Sequence, residues 1–337
     1  MKLIIQIPCY NEEETLGETI SHLPRHVPGV RTVEFLVIDD GSSDRTSELA
    51  KELGVHHVLV NPSNLGLARS FARGVDYALG AGADIIVNTD GDNQYNGNDI
   101  VKLVAPIVAQ TADIVVGDRE TENVEHFSRG KRLLQRIGSM IVRSFSGVQI
   151  PDAVSGFRAF SRDAAMRLNI VSTFSYTIEM LIQAGHKGMC VKSVPVRTNP
   201  KTRESRLFKS IPSFIKKSGM TTLLMYAMYQ PLRSFSAIGF IIALIGSIPI
   251  IRFIYFYFFF DGSGKIQSLV IGSALLTAGT ITFVIGLLAD LVGRNRQLLE
   301  LTLERVQKLE LRDRSTRGQF ASEDESINEE LQAKSDG

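Results

Sequence analysis

The stretch Ile85-Ile-Val-Asn-Thr-Asp-Gly-Asp-Asn-Gln94 passes from a continuous apolar run straight into a cluster of acids and amides. A run of that kind fits a strand buried on both faces of a parallel sheet. The polar residues after it then fall at the strand's carboxyl end, where such sheets collect ligands. The pattern recurs upstream. Leu3 to Ile7 leads into Ile7-Pro-Cys-Tyr-Asn-Glu-Glu-Glu14, and Val33 to Ile38 leads into Asp39-Asp-Gly-Ser-Ser-Asp44. Val55 to Val60 and Asp113 to Val116 are further apolar runs. Thr15 to Leu23, Asp44 to Leu53, Leu65 to Leu79 and Asp99 to Val108 read as amphipathic crossover helices between them. The expected fold class is α/β, with a mostly parallel sheet built of right-handed β-α-β units.

The C-terminal part of the chain has a different composition. No charge occurs from Ser234 to Ile251, the apolar run resumes after Arg252 through Phe260, and Ile266 to Ala289 is again uncharged. At roughly 1.5 Å of helical rise per residue, each stretch is long enough to cross a hydrocarbon core of about 30 Å. Asp261-Gly-Ser-Gly-Lys265 leaves room only for a short turn, so an antiparallel hairpin is expected. Lys201, Arg203, Arg206, Lys209, Lys216, Lys217 and Arg233 precede the first span, and Arg294 and Arg296 follow the second. By the positive-inside rule these flanks are cytoplasmic. Arg252, among Tyr255, Tyr257 and several Phe, reads as snorkelling to the outer interface. Leu3 to Ile7 is too short for a signal-peptide core and is closed by Pro8.

The expected organisation is a cytoplasmic α/β domain over 1–200, basic amphipathic juxtamembrane helices over 201–233 and two transmembrane helices over 234–290. A cytoplasmic helix over 291–311 and a disordered tail over 312–337 follow. The protein is expected to be integral to a plasma or inner membrane, with both termini cytoplasmic. Gly239, Gly246, Gly272 and Gly279 would be shielded by association of hairpins, which leaves a homo-oligomer open.

Other classes are excluded by composition. With 37 Lys+Arg against 36 Asp+Glu the formal net charge is +1, which suits neither a basic nucleic-acid binder nor an acidic disordered chain. Cys9 and Cys190 are too few for a disulfide scaffold, and neither they nor the histidines have metal-site spacing. Clustered carboxylates at one rim repel unless compensated. Asp90 and Asp92, with Gly91 between, can both reach a hard divalent ion, which takes oxygen ligands and keeps phosphate oxygens and water in its shell. Alone, a D-x-D is equally an acidic turn; its place behind two other acidic strand ends is what singles it out.

Taken together, the motifs resemble those of the family 2 glycosyltransferases of the GT-A fold, in the branch of polyprenyl-phosphate (dolichyl-phosphate) hexose synthases. Four segments carry the resemblance in order: I-P-C-Y-N-E-E-E from Ile7, V-I-D-D-G-S-S-D from Val37, N-T-D-G-D-N-Q from Asn88 and S-G-F-R from Ser155. It covers roughly residues 1 to 233, and the two spans beyond match the membrane-anchored, dolichol-phosphate mannose synthase-like members. The resemblance implies that Pro8, Tyr10, Glu12, Asp39, Asp40, Ser42 and Asp90 hold the nucleotide-sugar donor. It implies that Asp90, Asp92 and Gln94 ligate Mg2+ or Mn2+, with Asn64 and Gly66 in a tight turn beside the donor. Asp92, Arg119 and Arg132 are the expected catalytic residues, and Arg119, Arg129, Arg132, Arg158 and Arg203 the candidates for the acceptor phosphate. Asp152, Tyr176 and Glu179 sit at family-like positions without an assigned role; Glu179 is open between a sugar hydroxyl and a helix surface.

The activity implied is metal-dependent, inverting transfer of a hexose from GDP-mannose, UDP-glucose or UDP-N-acetylglucosamine to undecaprenyl or dolichyl phosphate. A lipid monophosphate is already anionic near neutral pH, so it needs cationic positioning rather than a general base. Basic residues from Lys201 to Arg233 would meet anionic head groups. Two departures stand out: Glu120, Glu122 and Glu125 add acids to the expected acceptor loop, and Cys9 reads as a small packed residue. Processive polysaccharide synthases need Q-x-x-R-W, which a chain with no Trp lacks. From a different class, a catalytically inactive membrane-anchored scaffold or flippase partner would keep the same fold.

Overall fold

The computed structural model describes residues 1–119, 143, 146–170, 176–200, 231–259 and 266–335. The chain divides into two units, Met1–Ser218 with Leu303–Gly337, and Gly219–Thr302.

The first unit is built on the strands β1 (Lys2–Cys9), β2 (Thr32–Asp39), β3 (His57–Val60), β4 (Ile85–Asn88), β5 (Ile114–Asp118), β6 (Arg158–Ser161) and β7 (Val191–Pro195). Its helices are α1 (Leu16–His22), α2 (Thr46–Glu52), α3 (Leu67–Gly80), α4 (Ile100–Val108), α5 (Arg162–Arg167) and α6 (Tyr176–His186). The sheet has the order β3-β2-β1-β4-β6-β5-β7. All its pairings are parallel except those of β6, which runs antiparallel to both β4 and β5. The expected mostly parallel α/β architecture is thus present, and the five strands and four helices read from apolar periodicity are all there. The register Cys9↔Asp39 and Gln6↔Asn88 brings the ends of β1, β2 and β4 to one rim.

The strands are apolar because both their faces are covered. Leu3, Ile5, Ile7, Val37, Ile85 and Val87 join Leu103, Val104 and Ile107 in one buried core. On the opposite face of these strands two amides, Gln6 and Asn88, are fully buried. They bond each other, Gln6 Nε2 donating to Asn88 Oδ1 at 3.0 Å, while Asn88 Nδ2 donates to Gly156 O (3.0 Å) and the Tyr176 hydroxyl (2.8 Å). Tyr176 stacks on Phe71 with ring centroids 3.7 Å apart. Isolated amides would be costly here; these bonds occupy both amide nitrogens and Asn88 Oδ1, while Gln6 Oε1 has no hydrogen-bond partner among the described residues.

The second unit contains α7 (Pro231–Phe259) and the start of α8 (Ile266–Ser335). Pro231–Phe259 and Ile266–Glu300 are both long and apolar enough to cross a membrane. Ile241, Leu244, Ile248, Ile271 and Leu288 stand exposed on them, as lipid-facing side chains would. The guanidinium of Arg252 lies 5.9 Å from the centroid of the Phe256 ring. The juxtamembrane stretch 201–230 and the turn 261–265 lie outside the described residues.

One expectation is corrected. Gly239, Gly246, Gly272 and Gly279 do not wait for a second copy: they pack the hairpin against itself. A Cβ at Gly239 would lie 2.7 Å from Gly279 O, and one at Gly272 would lie 2.8 Å from Gly246 O. Small residues let helix backbones approach closely, and that capacity is used within the chain, which removes the argument for a homo-oligomer. In the structure α8 extends to Ser335. Residues 319–335 contain no Gly or Pro and are rich in Glu, Gln and Ala, which favour helix.

Candidate active site

The segments that leave β1, β2 and β4 share the carboxyl rim of the sheet. Pro8 pairs with Ile38, one step before the last pair Cys9↔Asp39, and Tyr10 just beyond stands 40% exposed at this rim. Glu12 is buried, its backbone N–H donating to Thr46 Oγ1 (2.9 Å) while its Oε2 accepts from Thr15 Oγ1 (2.9 Å). Asp39 Oδ1 accepts the Ser42 N–H at 2.9 Å, and Ser42 Oγ accepts the Asn11 N–H at 2.9 Å, which ties the β1 and β2 ends together. Burial, followed by the nearby Glu12 and Asp39, pushes the Cys9 thiol well up, so it stays a neutral packed group as expected.

Asp40 has a different task from the donor contact expected of it. Its Oδ1 accepts from Asn61 Nδ2 (2.8 Å) and the Leu65 N–H (2.9 Å), and its Oδ2 from the Gly66 N–H (2.9 Å). The opening of a helix leaves N–H groups that need acceptors, and Asp40 serves the turn before α3. Gly66 there has φ +91°, in the region glycine tolerates best.

The segment after β4 carries Asp90 and Asp92, both partly exposed, on either side of buried Gly91. A Cβ on Gly91 would lie 2.8 Å from Cys9 Sγ, so only glycine lets the loop settle against β1. Its carbonyl accepts Thr15 Oγ1 (2.9 Å) and Thr19 Oγ1 (3.0 Å) from the α1 side. Asp92 Oδ1 accepts the Gln94 N–H at 3.2 Å. The Asp90 carboxylate lies against Gly156 of S-G-F-R, where a Cβ would come within 3.2 and 3.3 Å of its oxygens. Among the described residues no three His, Cys, Asp or Glu side chains converge as a metal cage. Two hard carboxylates and one amide oxygen suit an oxygen-loving divalent ion that completes its shell from phosphate and water. The residues present therefore fit the metal expected of them.

Arg119 follows β5. Its Nε donates to Asp152 Oδ2 (2.6 Å) and its Nη2 to Asp152 Oδ1 (3.1 Å), a two-pronged pair in which Asp152 is buried. Beside it Tyr95 stacks on Phe157 (4.8 Å) and accepts the Gly156 N–H at its hydroxyl (3.2 Å). Burial, foremost, pushes the Tyr95 phenol up to about 12, so it is neutral at physiological pH. Asp90, Gly156, Tyr95, Asp152 and Arg119 thus form one contiguous wall.

Arg158 is corrected. It was expected at the acceptor phosphate, and it is instead fully buried. Its Nε donates to Ser155 O (2.7 Å), Nη1 to Thr177 O (2.8 Å) and Nη2 to Ala153 O (2.8 Å). A guanidinium's fixed fork of donors makes it able to satisfy several carbonyls at once. Glu179 is likewise buried, not on a helix surface, and its Oε1 accepts from Gln183 Nε2 at 3.3 Å. Arg129, Arg132 and Arg203 lie outside the described residues. Sequence reasoning missed the Gln6–Asn88–Tyr176 network, although a Gln and an Asn inside otherwise apolar strands are a signal of buried hydrogen bonding.

The family described as Glycosyl transferase family 2 matches residues 4–168. An uncharacterized protein of Methanocaldococcus jannaschii is 32% identical over 207 residues, covering 58% of this chain and 81% of that one. Polyprenol monophosphomannose synthase of Mycolicibacterium smegmatis is 27% identical over 206 residues, covering 58% and 76%. In fold, the chain is similar to glucosyl-3-phosphoglycerate synthase from Mycobacterium tuberculosis, crystallised with Mn2+, UDP and phosphoglyceric acid. That likeness has a TM-score of 0.51 at 20% identity and covers 67% of this chain and 78% of that one.

Proposed function

The chain belongs to glycosyl transferase family 2, a glycosyltransferase with the GT-A-like α/β domain and two candidate membrane spans, and from that premise we propose its reaction. It moves a hexose from GDP-mannose, UDP-glucose or UDP-N-acetylglucosamine to undecaprenyl or dolichyl phosphate at the cytoplasmic face of a membrane, with inversion at the anomeric carbon. The relative named for polyprenol monophosphomannose synthesis supports the acceptor class. The neighbour crystallised with Mn2+ and UDP supports a divalent ion beside a nucleotide diphosphate. The observation that carries the reading is the contiguous wall running from Asp90, through Gly156 and Tyr95, to the Asp152–Arg119 pair.

Each residue then has a task. Tyr10 covers the base, and Asp39, oriented by Ser42, accepts from the nucleoside. Asp90, Asp92 and Gln94 hold Mg2+ or Mn2+, which when bound offsets the negative charge that builds on the departing diphosphate. Asp152 holds Arg119 through Nε and Nη2, so Nη1 is what Arg119 turns to an anionic phosphate. Buried pairing fixes that cation in advance, which is how positioning lowers a barrier. Arg129, Arg132 and Arg203 are further candidates for the lipid phosphate. The basic residues ahead of the spans would attract an anionic lipid head group.

The test is a transfer assay on the full chain in detergent, with undecaprenyl or dolichyl phosphate and labelled GDP- and UDP-sugars, with and without chelator. Chelator-sensitive label in the lipid phase is expected from one donor, and Asp92→Ala should lower turnover by at least about 100-fold while the protein still folds. Chelator-resistant transfer, or an active Asp92→Ala enzyme, would overturn the metal assignment. No lipid product from any donor by a protein that binds nucleotide would favour the inactive scaffold instead.

A further inference from the structure

The loop that carries Asp92 and Gln94 does not hold its shape alone. Asn93 at its centre is buried and has φ +54°, a left-handed conformation that needs support in a residue other than glycine. Support arrives from the far end of the domain's sequence. Beyond β7 the chain turns along the loop, and Thr198 bridges Tyr95. Asn199 N–H donates to Gln94 O (2.9 Å), and Asn96 N–H donates to Arg197 O (3.1 Å). The Asn199 side chain adds Nδ2 contacts to Asn93 O (2.9 Å), Asn93 Oδ1 (3.3 Å) and Tyr95 O (3.3 Å). All three partners are oxygens, which fixes the orientation of the amide with its nitrogen inward. Below, Arg197 is itself anchored: its N–H donates to Asp99 Oδ2 (2.7 Å) and its Nη2 to Asp99 Oδ1 (3.0 Å). On the opposite side His22 Nδ1 lies 3.2 Å from Asn93 Oδ1.

We propose that Asn199 is a positioning residue for the metal-bearing loop. Its amide and its backbone N–H pin the carbonyls of Asn93, Gln94 and Tyr95 and so hold Asp92 and Gln94 at one spacing. This rests on the reading of Asp92 and Gln94 as ligands. The consequence follows from the demands of the ion: a small hard cation requires its oxygens in near-fixed geometry, and outer residues that orient ligands commonly alter metal affinity 10- to 100-fold. Asn199→Ala removes the side-chain bonds of the brace and leaves its backbone N–H on Gln94 O, and Asn199→Asp places an anion facing three oxygens. Asn199→Ser retains one donor at shorter reach.

The experiment is a Mn2+ titration of the full chain in detergent, followed by electron paramagnetic resonance in the presence of UDP and, separately, GDP. Wild type, Asn199→Ala, Asn199→Asp, Asn199→Ser and Asp92→Ala are compared, each checked for folding by its thermal transition. The half-saturating Mn2+ concentration is expected to rise about 10- to 100-fold in Asn199→Ala and Asn199→Asp, and less in Asn199→Ser. Turnover should return at high Mn2+ in these variants, whereas Asp92→Ala should neither bind nor recover. Folded Asn199 variants that titrate like wild type, while Asp92→Ala loses Mn2+, would overturn the brace and leave the ligand assignment standing. Wild-type Mn2+ binding by Asp92→Ala would overturn the ligand assignment and the brace with it.

Discussion

Replacing Arg158 with methionine separates two roles that a sequence motif cannot. In the structure the guanidinium serves three carbonyls, those of Ala153, Ser155 and Thr177, at 2.7–2.8 Å, with Met180 Sδ at 3.6 Å from Nη1. Methionine fills similar volume and donates nothing. Each buried carbonyl left without a donor costs roughly 1–2 kcal/mol, giving about 5 kcal/mol for the three. An opposing effect comes from removing a buried cation. Burial pushes the Arg158 pKa down from its ordinary value to about 10, which corresponds to roughly 3 kcal/mol against the charged form. The net loss is therefore about 2 kcal/mol, a fall in melting temperature of about 4–8 °C for a domain of this size. Arg158→Lys should be worse, because it keeps the buried charge and offers fewer donors in the wrong geometry. The chain has no Trp but has a buried thiol at Cys9 and an exposed one at Cys190. In a Cys190→Ser background, a thiol-reactive fluorogenic dye reports the exposure of Cys9 as the domain unfolds. A melting temperature equal to that of the parent, together with an acceptor KM raised tenfold or more, would refute the structural role and return Arg158 to the phosphate.

Two further outcomes are expected. Burial opposes ionisation of Asp99, but hydrogen bonds from Arg197 and Lys102 outweigh it and hold the carboxyl below its ordinary value. A group with a folded pKa below its unfolded one stabilises fully above the unfolded value, near 3.9, and loses that contribution as pH falls through the folded one. The difference in melting temperature between wild type and Asp99→Asn should therefore be constant from pH 7 to about 5 and narrow progressively as the pH falls below about 4; a gap at pH 3 as wide as that at pH 7 would refute it. In the hairpin, a Cβ at Gly272 would lie 2.5 Å from Ile250 Cγ1 and 2.8 Å from Gly246 O. Gly272→Leu should destabilise by about 1–3 kcal/mol and lower the aggregation temperature in detergent, while the exposed neighbour change Ile271→Leu should leave it unaltered; equal effects would argue against the close helix contact.

Much of the donor side could be read in the residues because its strands are buried on both faces. Continuous apolar runs such as Ile85 to Val87 announce such strands, and the acids after them mark the rim. β6 and β7 escaped notice because Arg158-Ala-Phe-Ser161 and Val191-Lys-Ser-Val-Pro195 are short and mixed in character. Where charged side chains spend their bonds was not legible either. Asp39 and Asp40 are adjacent and chemically identical, yet one faces Ser42 of its own turn and the other is committed to the turn before α3. Arg119 and Arg158 look equally available in the sequence, and only the packing of α6 against β6 distinguishes a buried fork from a cation at the rim. Asn199 gave no signal, since it is brought to its partners from 106 positions away.

The reversed direction of β6 has a consequence for how such an enzyme can change. A parallel strand delivers residues to the rim as it ends, whereas β6 delivers them as it begins, so the stretch between Arg119 and Phe157 departs from and returns to one edge of the sheet. Its two ends are fixed by the pairing of Val116 with Arg158. Lengthening such an excursion costs only about 0.6 kcal/mol per doubling and shifts no strand. Residues 8–94, which carry the acidic rim after β1, β2 and β4, belong to a different part of the chain. Insertion and deletion within 120–157 can therefore change that excursion while the rim formed by β1, β2 and β4 stays in place.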